Sequence, residues 1–350
     1  MALVTASLLW LECPLSSAQA TGGTKTVRRH RVQDVDPDAA KVSQAEAAID
    51  KKDYATAESL LKEVTTSHAD NYAAWYDLGF VYHAEGKRED SVAAYRKSVE
   101  AKPNVFESNL NLGLALAEMG NAEAEQYLRT ATKLKPASNP GQGQKRAWMA
   151  LGHLLQGSKP EDALEAYRQA AVADPKDPEP HLLAGSILEK QKSADAEQEY
   201  QLALARDAQN PEALAALTNF YMAQHRFGDA ESLLRKLIVV HPNDASAHFQ
   251  LGRMLAIAGK NDDAIAELQA GLKLDAADVK AQRDLADLYA ENKKFDEAQR
   301  VYASLLASAP NDPELHHGLG RALLMQKKFG DAERELMKSA QLKPGVGEVY

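Results

Sequence analysis

A chain of 350 residues with one cysteine, Cys13, has no partner for an intrachain disulfide and no basis for a cysteine metal cluster. Aromatic residues are scarce, at 6%, and Ala and Leu lead the apolar set, which suits closely packed helices better than sheets. Positive charge is not in excess: the formal net charge is −9, which speaks against a nucleic-acid backbone as partner and for solubility. Catalytic signatures are missing as well. Gly259-Lys260 resembles the end of a phosphate loop, but Gly252 stands seven residues before Gly259 instead of five. There is no H-E-x-x-H and no G-x-S-x-G. The ten His are scattered, and His316-His317 point to different faces of one helix, a poor metal clamp. Carboxylates are plentiful, but on helix surfaces they are normally solvated.

Long apolar runs are confined to the beginning. Residues 1–20, "MALVTASLLWLECPLSSAQA", carry an apolar stretch from Ala2 to Leu11 and then Ala18 and Ala20 in an A-x-A arrangement. This predicts a secretory signal cleaved after Ala20 and an exported protein, periplasmic or secreted, although no Lys or Arg precedes the apolar stretch. A cytoplasmic chain with a frayed N-terminus is the other reading. Trp10-Leu11-Glu12 before Cys13 does not match a lipoprotein box. No later run approaches the roughly 18–20 apolar residues of a membrane span. Residues 21–37 show no apolar period and read as a flexible leader, with Arg28, Arg29 and Arg31 as a small basic cluster. That cluster suits either contact with acidic lipid or protein, or a solvated linker.

What is present is a repeat. In "WYDLGFVY", Trp75, Leu78-Gly79 and Tyr82 stand at i, i+3, i+4 and i+7 and so share one stripe of a helix. Gly79 is out of place there, since glycine inside a helix costs about 1 kcal/mol against alanine. It recurs: Leu112-Gly113, Leu151-Gly152, Ala184-Gly185, Leu217-Thr218, Leu251-Gly252, Leu285-Ala286 and Leu319-Gly320 follow at spacings of 33, 34 or 39 residues. A second signature trails each, a small residue and then a bulky one four later. Examples are Ser91/Tyr95, Ala124/Leu128, Ala163/Tyr167, Ala196/Tyr200, Ala264/Leu268 and Ala332/Leu336. Pro103, Pro136, Pro175, Pro242, Pro310 and Pro344 close units. Small residues at the Gly79-type positions predict two helices in close approach, so that packing offsets the propensity cost.

A period near 34 built from two short helices, with W-x-x-L-G-x-x-Y intact at Trp75, Leu78-Gly79 and Tyr82 and returning at Trp148, Leu151-Gly152 and Leu155, resembles the tetratricopeptide repeat family. The resemblance implies an all-α, right-handed superhelical solenoid of about nine helix-turn-helix units: 38–71, 72–105, 106–138, 145–177, 178–210, 211–244, 245–278, 279–312 and 313–346. The first unit has Lys41 and Gln44 where Trp and Leu would stand, as suits a polar cap. Units three to five are one residue short in the turn between their helices. Residues 139–144, "NPGQGQ", form an insert expected to be a loop. After Pro344, "GVGEVY" brings Tyr350 to the first bulky position of a further unit, so residues 347–350 read as the start of a truncated tenth, the other reading being a last unit that frays.

The resemblance also places function. In such arrays the first helix of each unit lines the concave face, and positions two, five, nine and twelve commonly meet the partner. Positions five and nine here give Tyr76 and Phe80, Leu110 and Leu114, Met149 and His153 in units two to four. They give Phe249 and Arg253, Arg283 and Asp287, His317 and Arg321 in units seven to nine. The front is apolar and aromatic, and the rear is Arg-rich. Exposed aromatics anchor partners and Arg grips carboxylates bidentately, so the expected partner is a protein or peptide with an apolar segment and acidic groups. The open alternative is that the apolar members pack against the next helix and the Arg members pair with nearby Asp or Glu. The Lys, Asn and Arg carboxylate clamp of chaperone-tail readers does not match, nor does the Asn ladder of sugar-transferring members, since position six holds one Asn, Asn111. No cofactor or metal is implied. The expectation is a non-catalytic scaffold, by analogy one of cell-envelope assembly. The alternative is a targeting or substrate-recruiting arm of a larger enzyme whose catalytic module lies beyond residue 350.

Overall fold

The computed structural model describes residues 38–343, and the signal, the leader and the start of a tenth unit expected from the sequence lie outside the described residues. Every regular element among the described residues is an α-helix, and consecutive helices pack in antiparallel-type pairs as tetratricopeptide solenoids do. The described residues divide into two compact bodies that meet in the chain between Pro175 and Lys176.

The first body holds α1 (Ala39–Asp50) with α2 (Tyr54–Ser67), and α3 (Tyr72–Ala84) with α4 (Arg88–Ala101). It continues with α5 (Phe106–Glu118) and α6 (Ala124–Lys133), then α7 (Pro140–Leu155) and α8 (Pro160–Ala173). The second body holds α9 (Glu179–Lys190) with α10 (Asp195–Arg206), α11 (Pro211–Ala223) with α12 (Phe227–Val240), and α13 (Ala245–Ile257) with α14 (Asn261–Leu274). It ends with α15 (Val279–Glu291) and α16 (Phe295–Ser308), then α17 (Pro313–Met325) and α18 (Phe329–Leu342). In each body the second helix of a pair also packs on the first helix of the next.

Local sequence starts and stops these helices. Asn71, Asn210, Asp244, Asp278 and Asp312 precede first helices, and each side chain accepts a backbone N–H from the first turn. Between the helices of every pair but α7 and α8 one residue takes a left-handed conformation: Gly86, Gly120 and Gly259 in three repeats, and Lys52, Lys192, His225, Lys293 and Lys327 in five.

The helix pairs close on the small residue at position eight. A Cβ added to Gly79 would lie 2.6 Å from the Tyr95 ring, one on Gly152 2.5 Å from Tyr167, and one on Gly252 2.8 Å from Leu268. The bulky residue of the second signature therefore lies flat on the glycine of the first. The Gly79 carbonyl also accepts from the buried Ser91 hydroxyl at 2.8 Å. Where position eight is Ala45, Thr218 or Ala286, that residue is fully buried in the same seam. In the repeat with Ala286 at this position, the Tyr302 ring also lies against Gly318 of the next repeat, 2.6 Å from where a Cβ would stand.

Two local expectations are corrected. Residues 139–144 are not a loop: α7 starts at Pro140, and only Asn139, with φ 45°, stands outside it. Proline suits the first helical position because its missing N–H is unpaired there anyway. Gly143 then packs so tightly that a Cβ would sit 2.5 Å from Pro136. The turns of repeats three to five are not shortened either. Residues 119–123, 156–159 and 191–194 connect these pairs, and the missing residue is taken from helix ends, leaving α6 with 10 residues and α10 with 12. Ala124, Ala163 and Ala196 keep their buried places at the crossing, so the ends yield and the seam does not.

Overpacking a core by one methyl group costs about 1–3 kcal/mol. Gly152→Ala is expected to cost that much in denaturant unfolding, because the Tyr167 ring has nowhere to go. Gly228→Ala, with open space around it, is the control and is expected to leave stability unchanged or slightly higher.

Candidate functional site

In the first body the face of α3, α5 and α7 carries the front group of expected residues. The structure splits them by position. Tyr76, Leu110 and Met149, at position five, are buried at 1%, 0% and 8% exposure. Phe80 and Leu114, at position nine, are half-buried, and His153 is exposed. The position-five residues are therefore packing residues, and position nine carries what surface is accessible, with Phe80 still resting one side of its ring on the core of the first helices. Tyr76 packs its ring 5.8 Å from that of Tyr95 and accepts a 3.0 Å hydrogen bond from Asn111 Nδ2. Burial raises the Tyr76 pKa, with the nearby Asp77 and Glu107 carboxylates adding to it. His153 lies edge-on to Tyr167 at 5.6 Å, and the desolvation of its ring lowers its pKa.

This body also contains polar residues that positions five and nine do not reveal. Asp77, Glu107, Asn109 and Asn111 are all 4% exposed or less. Asn109 Nδ2 donates to the Pro103 and Val105 carbonyls at 2.7 and 2.8 Å, and Glu107 accepts from the Ala137 N–H at 2.8 Å. Arg146 is partly buried with them, and desolvation lowers its pKa. Reading positions two and six of the same helices together would have found this seam: Glu107 and Arg146 occupy position two, Asp77 and Asn111 position six.

In the second body Phe249, again at position five, is 4% exposed and lies over Gly271 of α14. The arginines are engaged. Arg253 Nε donates to Asp284 at 2.5 Å, and Arg283 holds Asp312 at 2.5 Å and Glu314 at 2.8 Å. Each ties one first helix to the next, the local-pairing alternative left open by the sequence. Asp312, despite desolvation, is held below the usual carboxylate range by the Leu315 N–H, the Arg283 charge and the Glu314 N–H. Asp287 is exposed and accepts from the Tyr302 hydroxyl, and desolvation raises its pKa against that bond. His317 is half-buried, and Arg321 is exposed with no ion pair among the described residues. The two bodies thus offer two surfaces: an apolar one on Phe80 and Leu114, and a charged one on Asp287 and Arg321.

Among the described residues no His, Cys, Asp or Glu group is arranged to hold a metal ion, and no helix is long and apolar enough to cross a membrane.

Such helix pairs with a glycine seam and an accessible first-helix face define a helical-repeat binding protein. Sequence comparison makes this specific. Profiles of the tetratricopeptide repeat match residues 48–108, 255–317 and 291–345, and residues 82–139, 110–178, 149–211 and 219–279. The chain belongs to the tetratricopeptide repeat family, whose repeats serve as protein-interaction scaffolds. It is similar to Protein CTR9 homolog of Arabidopsis thaliana, 31% identical over 111 residues, which are 31% of this chain and 10% of that protein. It is also similar to Protein O-mannosyl-transferase Tmtc1 of Drosophila melanogaster, 30% identical over 118 residues, 31% of this chain and 13% of that protein. The matches thus span little more than a tenth of either relative's length. Among solved structures, YrrB, described as a TPR protein with an unusual peptide-binding site, is 19% identical and covers 53% of this chain and 96% of its own, with a TM-score of 0.49.

The raised pKa of Asp287 has a definite sign. Its folded pKa lies above the unfolded one, so this residue's contribution falls as pH rises through the window between them and stays unfavourable above it. Asp287→Asn is therefore expected to raise the unfolding midpoint at neutral pH and leave it unchanged in strong acid. For Arg253 and Asp284, a double-mutant cycle is expected to give a coupling of about 0.5–1 kcal/mol that shrinks with added salt.

Proposed function

We propose that the chain is a non-catalytic scaffold that holds segments of a partner protein on its first-helix faces, gripping them with position-nine side chains. The observation that supports this reading is the contrast along those helices. Tyr76, Leu110, Met149 and Phe249 are spent on packing, while Phe80, Leu114, His153, Asp287 and Arg321 reach solvent to different degrees. Phe80 and Leu114 suit apolar anchors of the partner. Arg321 suits a carboxylate, which it can hold bidentately. Arg253 and Arg283 contribute by orienting the face, since their guanidinium groups already hold Asp284, Asp312 and Glu314. The partner this favours has an apolar segment for the first body and acidic groups for the second. A shallow face of this kind excludes little water, which suits binding better than chemistry. Export through residues 1–20, and a place in assembling the cell envelope, extend the same proposal on the strength of the apolar Ala2–Leu11 run and the Ala18/Ala20 pair.

The test is capture from extract of the native organism with the intact chain as bait, beside Phe80→Ala/Leu114→Ala and Arg321→Ala versions of matched helicity. Truncating an interface anchor typically costs about 1–3 kcal/mol. The expected result is one protein retained by the parent and weakened at least ~10-fold in one or both variants. If both variants retain everything the parent does, the first-helix faces are not where partners dock.

A further inference from the structure

Within each body a repeat covers the one before it in a fixed way, and three positions of the second helix register that cover. The bulky residue of the second signature is at most 3% exposed in eight repeats, from Leu61 to Tyr302. Where an aromatic residue opens the second helix, as Phe227 and Phe295 do, it is half-buried. Four residues after that opening position, Glu58, Glu125, Glu197 and Glu231 each take the cation that precedes the next second helix. These cations are Lys87, Lys159, Arg226 and Lys260, at 2.6–3.1 Å.

On α18 the same three positions are Phe329, Glu333 and Leu336, and all three are open. Phe329 is 64% exposed, and Leu336 is half-buried where its eight counterparts are sealed. Glu333 is exposed and has no ion pair among the described residues. Met337, also exposed, extends the apolar surface. Large apolar side chains gathered in this way mark an interaction site. Its shape and charge are those of a surface that receives another repeat.

The first repeat offers what such a surface receives. Positions three, seven and ten of a first helix face the preceding repeat: Ala74, Leu78 and Val81 of α3 join Ala57, Leu61 and Val64 of α2 in one core. On α1 these positions are Ala40, Gln44 and Ala47, and all three are exposed. Ser43, also exposed, holds position six, the place where Gly318 lies against Tyr302. None of the four is charged, whereas an end face built for water alone is polar. Three are small, so a bulky side chain can approach the helix backbone as Tyr302 does at Gly318. Charge matches as well. Lys51 and Lys52 are exposed and have no ion pair among the described residues. They immediately precede Asp53, which stands where Lys87 and Lys260 stand in later repeats and is itself engaged in capping α2.

We propose that copies of this chain associate head to tail, α18 of one copy docking on α1 of the next as one repeat docks on another. Phe329 and Leu336 meet Ala40, Ser43 and Ala47, and Glu333 meets Lys51 and Lys52. The two faces differ, so every pair still presents one of each, and the series closes into a ring or runs on as a filament. Position nine takes no part in these faces, so the association stands whether or not a partner docks on the first-helix face.

The test is sedimentation of the intact chain over a concentration series, beside Phe329→Glu, which blocks the tail face, and Ala47→Arg, which blocks the head face. The parent is expected to grow past dimer as concentration rises, and each variant alone to need at least ~10-fold more protein for the same association. An equimolar mixture of the two variants is expected to form a complex of two chains and no more, because it contains one intact head and one intact tail. A parent that stays monomeric throughout overturns the proposal. So does an Ala47→Arg variant that dimerises like the parent, since α18 then pairs with α18 of the second copy. Association unchanged in both variants places the contact elsewhere and overturns it too. Should Ala47→Arg lose helicity, Ser43→Arg blocks the same face from an exposed position.

Discussion

The contact on which the array depends is a ring or an isobutyl group lying on a helix where there is no side chain. Tyr95 over Gly79, Tyr167 over Gly152, Tyr200 over Gly185 and Leu268 over Gly252 repeat one geometry, with added Cβ atoms 2.5–2.8 Å from the opposing side chain. Glycine weakens each first helix in isolation, and the pair recovers that cost through the apolar area it buries and the closeness of the two backbones. Once the distance within a pair is set, so is the surface the pair offers its neighbour. The rest of the architecture is this step repeated with small variations. Where alanine stands instead, at Ala286, that residue is still fully buried, and Tyr302 meets Gly318 of the following repeat.

A second set of ties runs between repeats and is largely electrostatic. Lys87 meets Glu58, Arg129 meets Asp162, Lys159 meets Glu125, Arg226 meets Glu197 and Lys260 meets Glu231, each joining adjacent second helices. On the first helices of the second body, Arg253 and Arg283 do the same work. Exposed pairs of this kind contribute little individually. Their effect is to fix register while the apolar seams supply most of the stability. It also means that charge counted along the chain overstates the charge a partner meets. An acidic chain with an Arg-rich stretch neutralises most of that stretch internally.

The fold was legible because its signal is both local and repeated. Leu-Gly followed by Ala and a bulky residue states, in each repeat, which residues touch, and the comparison of one repeat with the next removes the ambiguity of any single one. The insert at 139–144 was not legible. Its Gly and Pro residues are loop formers by composition, yet Pro140 opens a helix and Gly143 is needed under Pro136. The candidate site was legible in part. The helix and the face followed from position in the repeat, but Tyr76 and Phe80, one turn apart on one stripe, have opposite fates: one is sealed by Tyr95 and Asn111, the other is half open. Depth within a stripe depends on neighbours one repeat away, and a motif that describes one repeat does not contain it.

By itself, then, the sequence determined the helix pairs, the seam that closes them and the family to which the chain belongs, because these rest on residue spacing and size within about 34 positions. Tertiary structure alone decided which members of the first-helix face reach solvent, which arginines are already held by Asp284, Asp312 and Glu314, and that Asp77, Glu107 and Asn111 gather in one buried seam. The physical reason is that burial and pairing are properties of several repeats at once. They depend on how far one helix pair advances over the next, and that advance is set by the sum of many contacts, not by any residue pattern readable along the chain.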